Sequence, residues 1–327
     1  MATGVGRLWH HPVKSMQGEP VDEVVLGPGG LVGDRAYGLV DVATGHLVSA
    51  KHPKRYGALL RCRAAFTRPP RPDEPTPPVR VRMPDGRSVS GDEIAPAVGE
   101  LLGREVRLVT SIPPRTPYEM IWPELLGSDE FLSSARLAAE DTDEPVFGSP
   151  PGIAAPGTLL DLAALHVLAT STLAALAAHH PDGTWDDRRF RPNIVFADEP
   201  VDGRPADRYV EDEWLGCDLK IGERARIHIV SPTLRCPMPM LEQPGLPSDS
   251  GILRTLQRHG RRKLGDWGTF SCVGAYAEVV NPGVVRVGDP VEVTATAATE
   301  SALTAAIEML AAAARERDPL TATRARR

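Results

Sequence analysis

Six of the twelve residues from Thr67 to Pro78 are proline, and such a run supplies neither a helix interior nor a central strand. It is expected to be a surface loop, and it leaves only short pieces on either side. Before it, Val21 to Leu26, Tyr37 to Val42 and His46 to Ser49 read as strands, punctuated by Gly27-Pro28-Gly29-Gly30 and Gly45. After it come a strand over Val79 to Met83, the turn Pro84-Asp85-Gly86-Arg87, a helix over Ala95 to Leu102 ended by Gly103, and a strand over Glu105 to Val109. Strands this short, with turns this frequent, predict a small β-barrel or sandwich.

Residues 110 to 157 show little periodicity and carry the breakers Pro113-Pro114 and Ser149-Pro150-Pro151-Gly152. They read as a long irregular connection, with a helical turn or two between Asp129 and Ala139; such connections serve as lids, binding loops or domain boundaries. A second pattern starts near Leu160. Leu165 to Leu168 reads as a strand, and Thr170-Ser171-Thr172 as hydroxyl caps for a helix over Leu173 to His180. Further strands are expected at Asn193 to Phe196, Leu219 to Ile221, Ala225 to Val230, Gly274 to Val280 and Val291 to Val293. Residues 252 to 264 read as a basic helix broken by Gly260, and Thr299 to Glu316 as an alanine-rich helix ahead of a frayed basic tail.

The 327 residues suit two domains. A net charge of −6 argues against general nucleic-acid binding, yet leaves room for a local basic pocket that takes a small anion. The most apolar segment, Leu159 to Ala178, is interrupted by Asp161, His166, Thr170, Ser171 and Thr172, so no membrane helix is expected. No secretory signal is visible. Four scattered cysteines without a C-x-x-C pair argue against a cysteine-built metal centre or a disulfide scaffold. A cytoplasmic setting with reduced thiols is the expectation.

Several groups could carry chemistry, each with a plainer reading beside it. Lys14-Ser15 and Gly33-Asp34-Arg35 place cationic side chains at turns, where arginine's planar fork suits an anion, but surface charges look the same. Thr170, Ser171 and Thr172 at a helix start make an anion site or a simple cap. Arg191 and Asn193 flank Pro192, which fixes the local backbone. Cys236 lies in Pro232-Thr233-Leu234-Arg235-Cys236-Pro237, too proline-rich for a core strand, and Arg235 beside it favours the thiolate, a nucleophile and soft metal ligand. Cys62, Cys217 and Cys272 read as structural. His228 is near Cys236 in sequence but is expected to face solvent, so a Cys–His hydrolase has no support. No G-x-S-x-G elbow, P-loop, dinucleotide fingerprint or H-E-x-x-H is present.

Taken together, Leu8-Trp9-His10-His11-Pro12-Val13-Lys14-Ser15 and Gly30-Leu31-Val32-Gly33-Asp34-Arg35 resemble the N-terminal β-barrel domain of MOSC proteins. Leu165 to Leu173, Arg189-Phe190-Arg191-Pro192-Asn193-Ile194, Arg235-Cys236, Asn281-Pro282-Gly283 and Val287-Gly288-Asp289 resemble the MOSC domain itself. Order and spacing agree over roughly residues 5 to 293, and the architecture is most similar to amidoxime-reducing-component type proteins. The resemblance implies a mainly β fold with some α: an N-terminal MOSC β-barrel domain over 1–120, the connection over 121–157, a MOSC β-barrel domain over 158–295, and a C-terminal helical segment over 296–327.

It also implies a molybdenum cofactor, a pterin carrying dithiolene, phosphate and Mo. Cys236 would be the protein's thiolate ligand to the metal. Lys14, Ser15 and Arg35 would meet the cofactor from the N-terminal domain; Thr170, Ser171, Thr172, Arg191, Asn193, Arg235 and Tyr276 would bind it from the MOSC domain. Such proteins remove oxygen from N-hydroxylated or sulfoxide-like small molecules in a two-electron step. The scattered cysteines cannot ligate a plant-type cluster, so the electrons are expected from a separate ferredoxin, flavodoxin or cytochrome type protein; neither nucleic acid nor membrane is expected as a partner. The chain departs from the family where hydroxyls are usual: Pro237-Met238-Pro239-Met240 follows Cys236, Glu242 is the acidic equivalent, and Ala169 replaces a threonine. A methionine-lined mouth would suit a less polar substrate. Alternatives are a non-catalytic carrier of cofactor or sulfur, and a MOSC scaffold turned to metal-free chemistry.

Overall fold

The computed structural model describes residues 3–113, 116, 159–198, 209–264 and 269–296, with the backbone of three two-residue strands between 118 and 147. Of the segment from Asp129 to Ala139, where a helical turn or two is expected, only Arg136 and Leu137 are described, and they form a strand instead; the helix expected over Thr299 to Glu316 lies outside the described residues.

The chain opens with β1 (Thr3–His10), followed by β2 (Glu19–Val21), β3 (Glu23–Gly27), β4 (Gly30–Leu31) and β5 (Gly38–Asp41). A one-turn helix α1 (Pro53–Tyr56) leads to β6 (Arg63–Phe66), β7 (Val79–Arg82) and β8 (Ser88–Ser90). The six-proline run is the β6–β7 connection, closed at its base by Thr67 N–H donating to Pro78 O at 3.0 Å. Strand alternation along β7 buries Val79 and Val81 and exposes Arg80 and Arg82. Helix α2 (Ile94–Leu102) ends where expected, on Gly103 at φ +64°, a conformation glycine adopts without Cβ strain. Strand β9 (Val106–Val109) pairs with β5. Val13, Met16, Leu39, Tyr56, Leu59, Val81, Ile94 and Val98 share one buried cluster. The strand expected at His46 to Ser49 reduces to a single bridge between Leu47 and Val40.

Strands β10 (Tyr118–Glu119), β11 (Arg136–Leu137) and β12 (Val146–Phe147) form a small separate sheet. Then come β13 (Leu165–Ala169), α3 (Thr170–His179), β14 (Ile194–Asp198), α4 (Val210–Glu213), β15 (Cys217–Ile221) and β16 (Ala225–Leu234). Helix α5 (Ser250–His259), β17 (Arg261–Lys263), β18 (Thr269–Asn281), β19 (Gly283–Arg286) and β20 (Pro290–Ala295) complete the described chain. The basic helix expected over residues 252 to 264 breaks at Gly260 as expected, but Arg261 to Lys263 beyond it are strand, paired with β18.

Seven strands close on themselves in the order β13, β14, β1, β20, β15, β16, β18, and β18 returns to β13. The pair β13–β14 is parallel, and α3 makes the crossover such a pair requires. The mainly β class with a barrel is therefore what the structure shows. Val5, Leu8, Leu165, Val167, Ile194, Phe196, Leu219, Ile221, Ile227, Ile229, Ala275 and Ala277 fill the barrel core. Strand β16 corrects one expectation: it runs through Pro232 to Leu234. Register shifts between Ile229 and Ser231 and between Pro232 and Leu234 mark bulges, and a bulge is where a proline sits inside a sheet without breaking the ladder. Arg235 and Cys236 are thereby carried on the end of a barrel strand.

Candidate functional site

Among the described residues, three that are not glycine have positive φ: Ser15 at +67°, Arg35 at +47° and Arg191 at +57°. All three line one cleft. Left-handed backbone costs about 1–3 kcal/mol at such residues and persists only where the surroundings over-determine it. Here they do. Ser15 Oγ accepts from Ala50 N–H at 3.0 Å. Arg35 N–H donates to His11 O at 2.7 Å, and its guanidinium donates to the Asp34 carboxylate and, at 3.3 Å, to Arg191 O. Arg191 N–H donates to Asp187 O at 3.1 Å and its guanidinium to Met16 O. The strain is thus shared between two loops from the first 40 residues and one from the barrel.

The cleft is strongly cationic. Lys14, Arg191 and Arg235 are buried, and Arg35 and Lys51 line it with them. Asp161 sits between the lysines, accepting from Lys14 Nζ at 2.5 Å and lying 3.2 Å from Lys51 Nζ. Burial alone would raise the Asp161 carboxyl, but the two ammonium groups hold it well below the usual range. Burial, then Arg35, pushes Arg191 down to about 9; burial pushes Arg235 to about 10. Both stay charged at neutral pH. Neither has a carboxylate in ion-pair range among the described residues: Arg235 donates to Val273 O at 3.0 Å, Phe190 O at 3.0 Å and the His166 ring. Burial and Arg235 hold His166 well below its ordinary value, so its ring is a neutral acceptor. Six cations, Lys14, Arg35, Lys51, Arg189, Arg191 and Arg235, line the cleft with one carboxylate, Asp161, and Asp34 pairs with Arg35 beside it. Among the described residues none of the three buried guanidiniums, Arg189, Arg191 and Arg235, has a carboxylate in ion-pair range, and that of Arg189 is turned to main-chain carbonyls.

Cys236 is partly exposed and packs on Ala50, Leu60 and Met238. Burial pushes the Cys62 and Cys272 thiols up to about 12, in keeping with structural roles. Cys217 lies on β15 with its thiol 3.9 Å from Glu213 O, outside the cleft. Two buried polar atoms on the cleft wall, Asn193 Nδ2 and Thr233 Oγ1, have no hydrogen-bond partner. The Asn193 oxygen is already used, accepting from His166 N–H at 3.0 Å. Tyr276 also lines the cleft; burial raises its hydroxyl above the ordinary value, so it keeps its proton.

The structure brings Lys14, Ser15, Arg35, Arg191, Asn193, Arg235, Cys236 and Tyr276 together. It does not bring Thr170, Ser171 or Thr172 to them. Helix α3 already includes all three, with Ala169 as its N-cap and no side-chain cap. Carboxylates from distant segments meet the helix start instead: Thr170 Oγ1 and Ser171 N–H donate to Asp198 Oδ1 at 2.9 Å each. Ala169 N–H donates to Glu211 Oε1 at 2.6 Å, and Thr172 Oγ1 to Glu211 Oε2. His228 is buried rather than solvent-facing, 2.8 Å from Asp218, and does not approach Cys236. Glu242 is outside the cleft, 4.0 Å from Arg61. Met238 lines the mouth with Leu160, Leu162 and Pro239, whereas Met240 packs against the cluster of Leu176, Phe190 and Ile252.

Lys51, Asp161, His166 and Arg189 are cleft residues that sequence reasoning did not single out. Arg189 had a signal, its place in Arg-Phe-Arg-Pro; the other three are placed by long-range packing.

Glu211 gives a pH prediction. Burial pushes its carboxyl from 4.5 up to about 7, with Thr172 and the Ala169 amide offsetting part of the effect. A folded-state value above the unfolded one means the fold holds the proton more tightly, so stability is full below the unfolded value and is lost as pH rises through the folded one. Relative to Glu211→Gln, the wild type is expected to lose up to about 3 kcal/mol between roughly pH 4.5 and 7.5. Urea unfolding of both proteins across that window checks it; parallel pH curves would contradict it.

Comparison with known proteins gives matches over most of the chain. The MOSC domain family model matches residues 156–292, and the MOSC N-terminal beta barrel domain model matches residues 2–92. Mitochondrial amidoxime-reducing component 1 of Homo sapiens is 28% identical over 317 residues, covering 88% of this chain and 82% of that protein. Among solved structures, the YUAD protein from Bacillus subtilis aligns with a TM-score of 0.42 at 11% identity, covering 91% of this chain and 98% of that one. YiiM from Geobacillus stearothermophilus aligns with a TM-score of 0.28 at 16% identity, covering 47% and 69%.

Proposed function

Since this chain belongs to the MOSC family, with a MOSC N-terminal beta barrel domain ahead of its MOSC domain, we propose that the cleft at Cys236 holds a molybdenum cofactor. We further propose that the protein uses it to remove oxygen from N-hydroxylated or other N- or S-oxygenated small molecules. The observation that carries this reading is the pair of buried guanidiniums, Arg191 and Arg235, that among the described residues have no carboxylate in ion-pair range and stand beside a partly exposed cysteine.

The residues present fit such a group. Arg191 and Arg235 offer planar donor sets to a phosphate. Asn193 Nδ2 and Thr233 Oγ1 have hydrogen-bonding capacity to spare for a pterin, and buried polar atoms in native proteins are rarely left without partners. Cys236 is the soft ligand that suits a thiophilic metal. Among the described residues no three His, Cys, Asp or Glu side chains form a metal-binding group, so a metal at Cys236 would take its other ligands from the dithiolene and oxo groups. When bound, the cofactor supplies the two-electron redox chemistry. The chain's own contribution is to orient and shield: Lys14 and Lys51 add positive charge, and Leu160, Leu162, Met238 and Pro239 form an apolar mouth that favours less polar substrates. Tyr276 keeps its hydroxyl proton and is available as a hydrogen-bond donor. The relative's name, amidoxime-reducing component, agrees with this substrate class.

The test is anaerobic turnover of an aryl amidoxime by protein from a cofactor-competent host, with reduced viologen as electron source. Stoichiometric amidine formation is expected. Bound molybdenum with no turnover of amidoxime, N-oxide or sulfoxide would instead indicate a cofactor carrier.

A further inference from the structure

The exposed face of the sheet β6–β7–β8 carries charge that stability does not explain. Arg80 and Arg82 point outward from β7, and the register sets Arg63 of β6 directly opposite Arg82. Like charges directly opposite across an antiparallel pair are destabilising. Arg63, Arg80 and Arg82 have no carboxylate in ion-pair range among the described residues, and Arg61 has Glu242 at 4.0 Å. Four arginines thus share one face of a protein whose net charge is −6.

This face is joined to the Cys236 cleft from behind. Arg61, Arg63 and Arg82 line one side of a 430 Å³ surface cavity whose other side is Glu242 to Gly245, in the segment that continues from Cys236. Leu60, next to Arg61, packs in the apolar cluster on which Cys236 lies. Gln17, at the end of the loop carrying Lys14 and Ser15, donates to Gln243 and is laddered to the β6 segment through Cys62 O and Ala64 N–H. Yet no residue lines both the cavity and the cleft, so an occupant of the arginine face leaves the cleft open.

We infer that this arginine face docks a small acidic protein that carries one electron at a time and reduces the Cys236 site while substrate occupies the cleft. The inference rests on the oxidoreductase reading above. Reduction of R–NHOH breaks the N–O bond: R–NHOH, two protons and two electrons give R–NH₂ and water, and two carriers are each oxidised by one electron. The carrier therefore docks twice per turnover. Charge-steered association at a surface apart from the substrate's meets that demand, and its rate falls with ionic strength.

The test uses the cofactor-loaded full chain, an acidic [2Fe–2S] ferredoxin and a flavodoxin as electron sources, and reduced viologen as a small chemical donor. In Arg82→Glu the new carboxylate faces Arg63, so the melting temperature is expected to hold or rise. Carrier-driven kcat/KM is nevertheless expected to fall about tenfold at low ionic strength, and its salt dependence to flatten. The viologen-driven rate stays unchanged. Arg80→Glu, which has Ala65 opposite it, is expected to lower only the carrier-driven rate. Carrier-driven rates that ignore both substitutions, with normal viologen turnover, would overturn the docking surface alone. Absence of viologen turnover in the wild type would remove the oxidoreductase reading and this inference with it. Binding of a random oligonucleotide but of neither carrier would reassign the face to nucleic acid.

Discussion

In Cys236→Ser, viologen-driven reduction of an amidoxime is expected to fall by more than about 100-fold, since loss of mere outer-shell partners already costs 10–100-fold at metal sites. The melting temperature should barely move. Cys236 is partly exposed and at the edge of its apolar cluster, so the near-isosteric hydroxyl opens no cavity. What is lost is a soft, ionisable ligand, for which serine is a poor substitute at a thiophilic metal. Cys217→Ser is the control: its thiol lies outside the cleft, and activity should stay at the wild-type level. A Cys236→Ser protein that turns over within a few-fold of wild type would remove the thiolate from the chemistry.

Arg189→Met is expected to cost about 3 kcal/mol of unfolding free energy, because the charge-assisted bonds it removes leave main-chain acceptors without donors. Arg189 is among the largest fully buried side chains, 1% exposed. It donates to Thr184 O at 2.8 Å, Pro239 O at 3.0 Å, Leu241 O at 3.4 Å and Pro247 O at 2.8 Å. Its partners explain how a segment containing Pro237, Pro239, Pro244 and Pro247 is ordered: prolines bring no N–H of their own, and the guanidinium supplies donors from outside. Arg189→Lys should recover only part of the stability, since a point-like ammonium cannot span four carbonyls as the planar fork does. Urea unfolding of the three proteins gives the comparison; an Arg189→Met curve superimposed on the wild type would contradict the account.

Local signals carried much of the fold. Gly103 ends α2, Pro84 to Arg87 turn β7 into β8, and the six-proline run is a surface connection. What eluded sequence reasoning depends on partners far along the chain. Strand β1 carries two glycines and no clean alternation, yet it pairs with β14 and β20, nearly 200 and 300 residues away in sequence. Gly6 is needed there, as a Cβ would stand 2.9 Å from Ala197 Cβ. Strand β16 looked finished before Pro232 because its bulges are visible only against β18.

The site divides the same way. Ser15, Arg35 and Arg191 were legible as motif residues, though their left-handed backbone was not. Thr170 to Thr172 misled because hydroxyls at a helix start are chemically equal candidates for an anion or a cap. Only the fold reveals that Asp198 and Glu211 arrive to occupy them. Asp161, lying between Lys14 and Lys51, was invisible for the converse reason: nothing in its own neighbourhood of sequence points to two lysines more than 100 positions earlier.

The most direct test of the central claim is the molybdenum and pterin content of protein made in a molybdate-fed, cofactor-competent host, measured by mass spectrometry alongside Cys236→Ala. The account predicts molybdenum near one equivalent in the wild type, and its loss or a changed metal spectrum in the variant. Folded wild-type protein containing neither molybdenum nor pterin would contradict it.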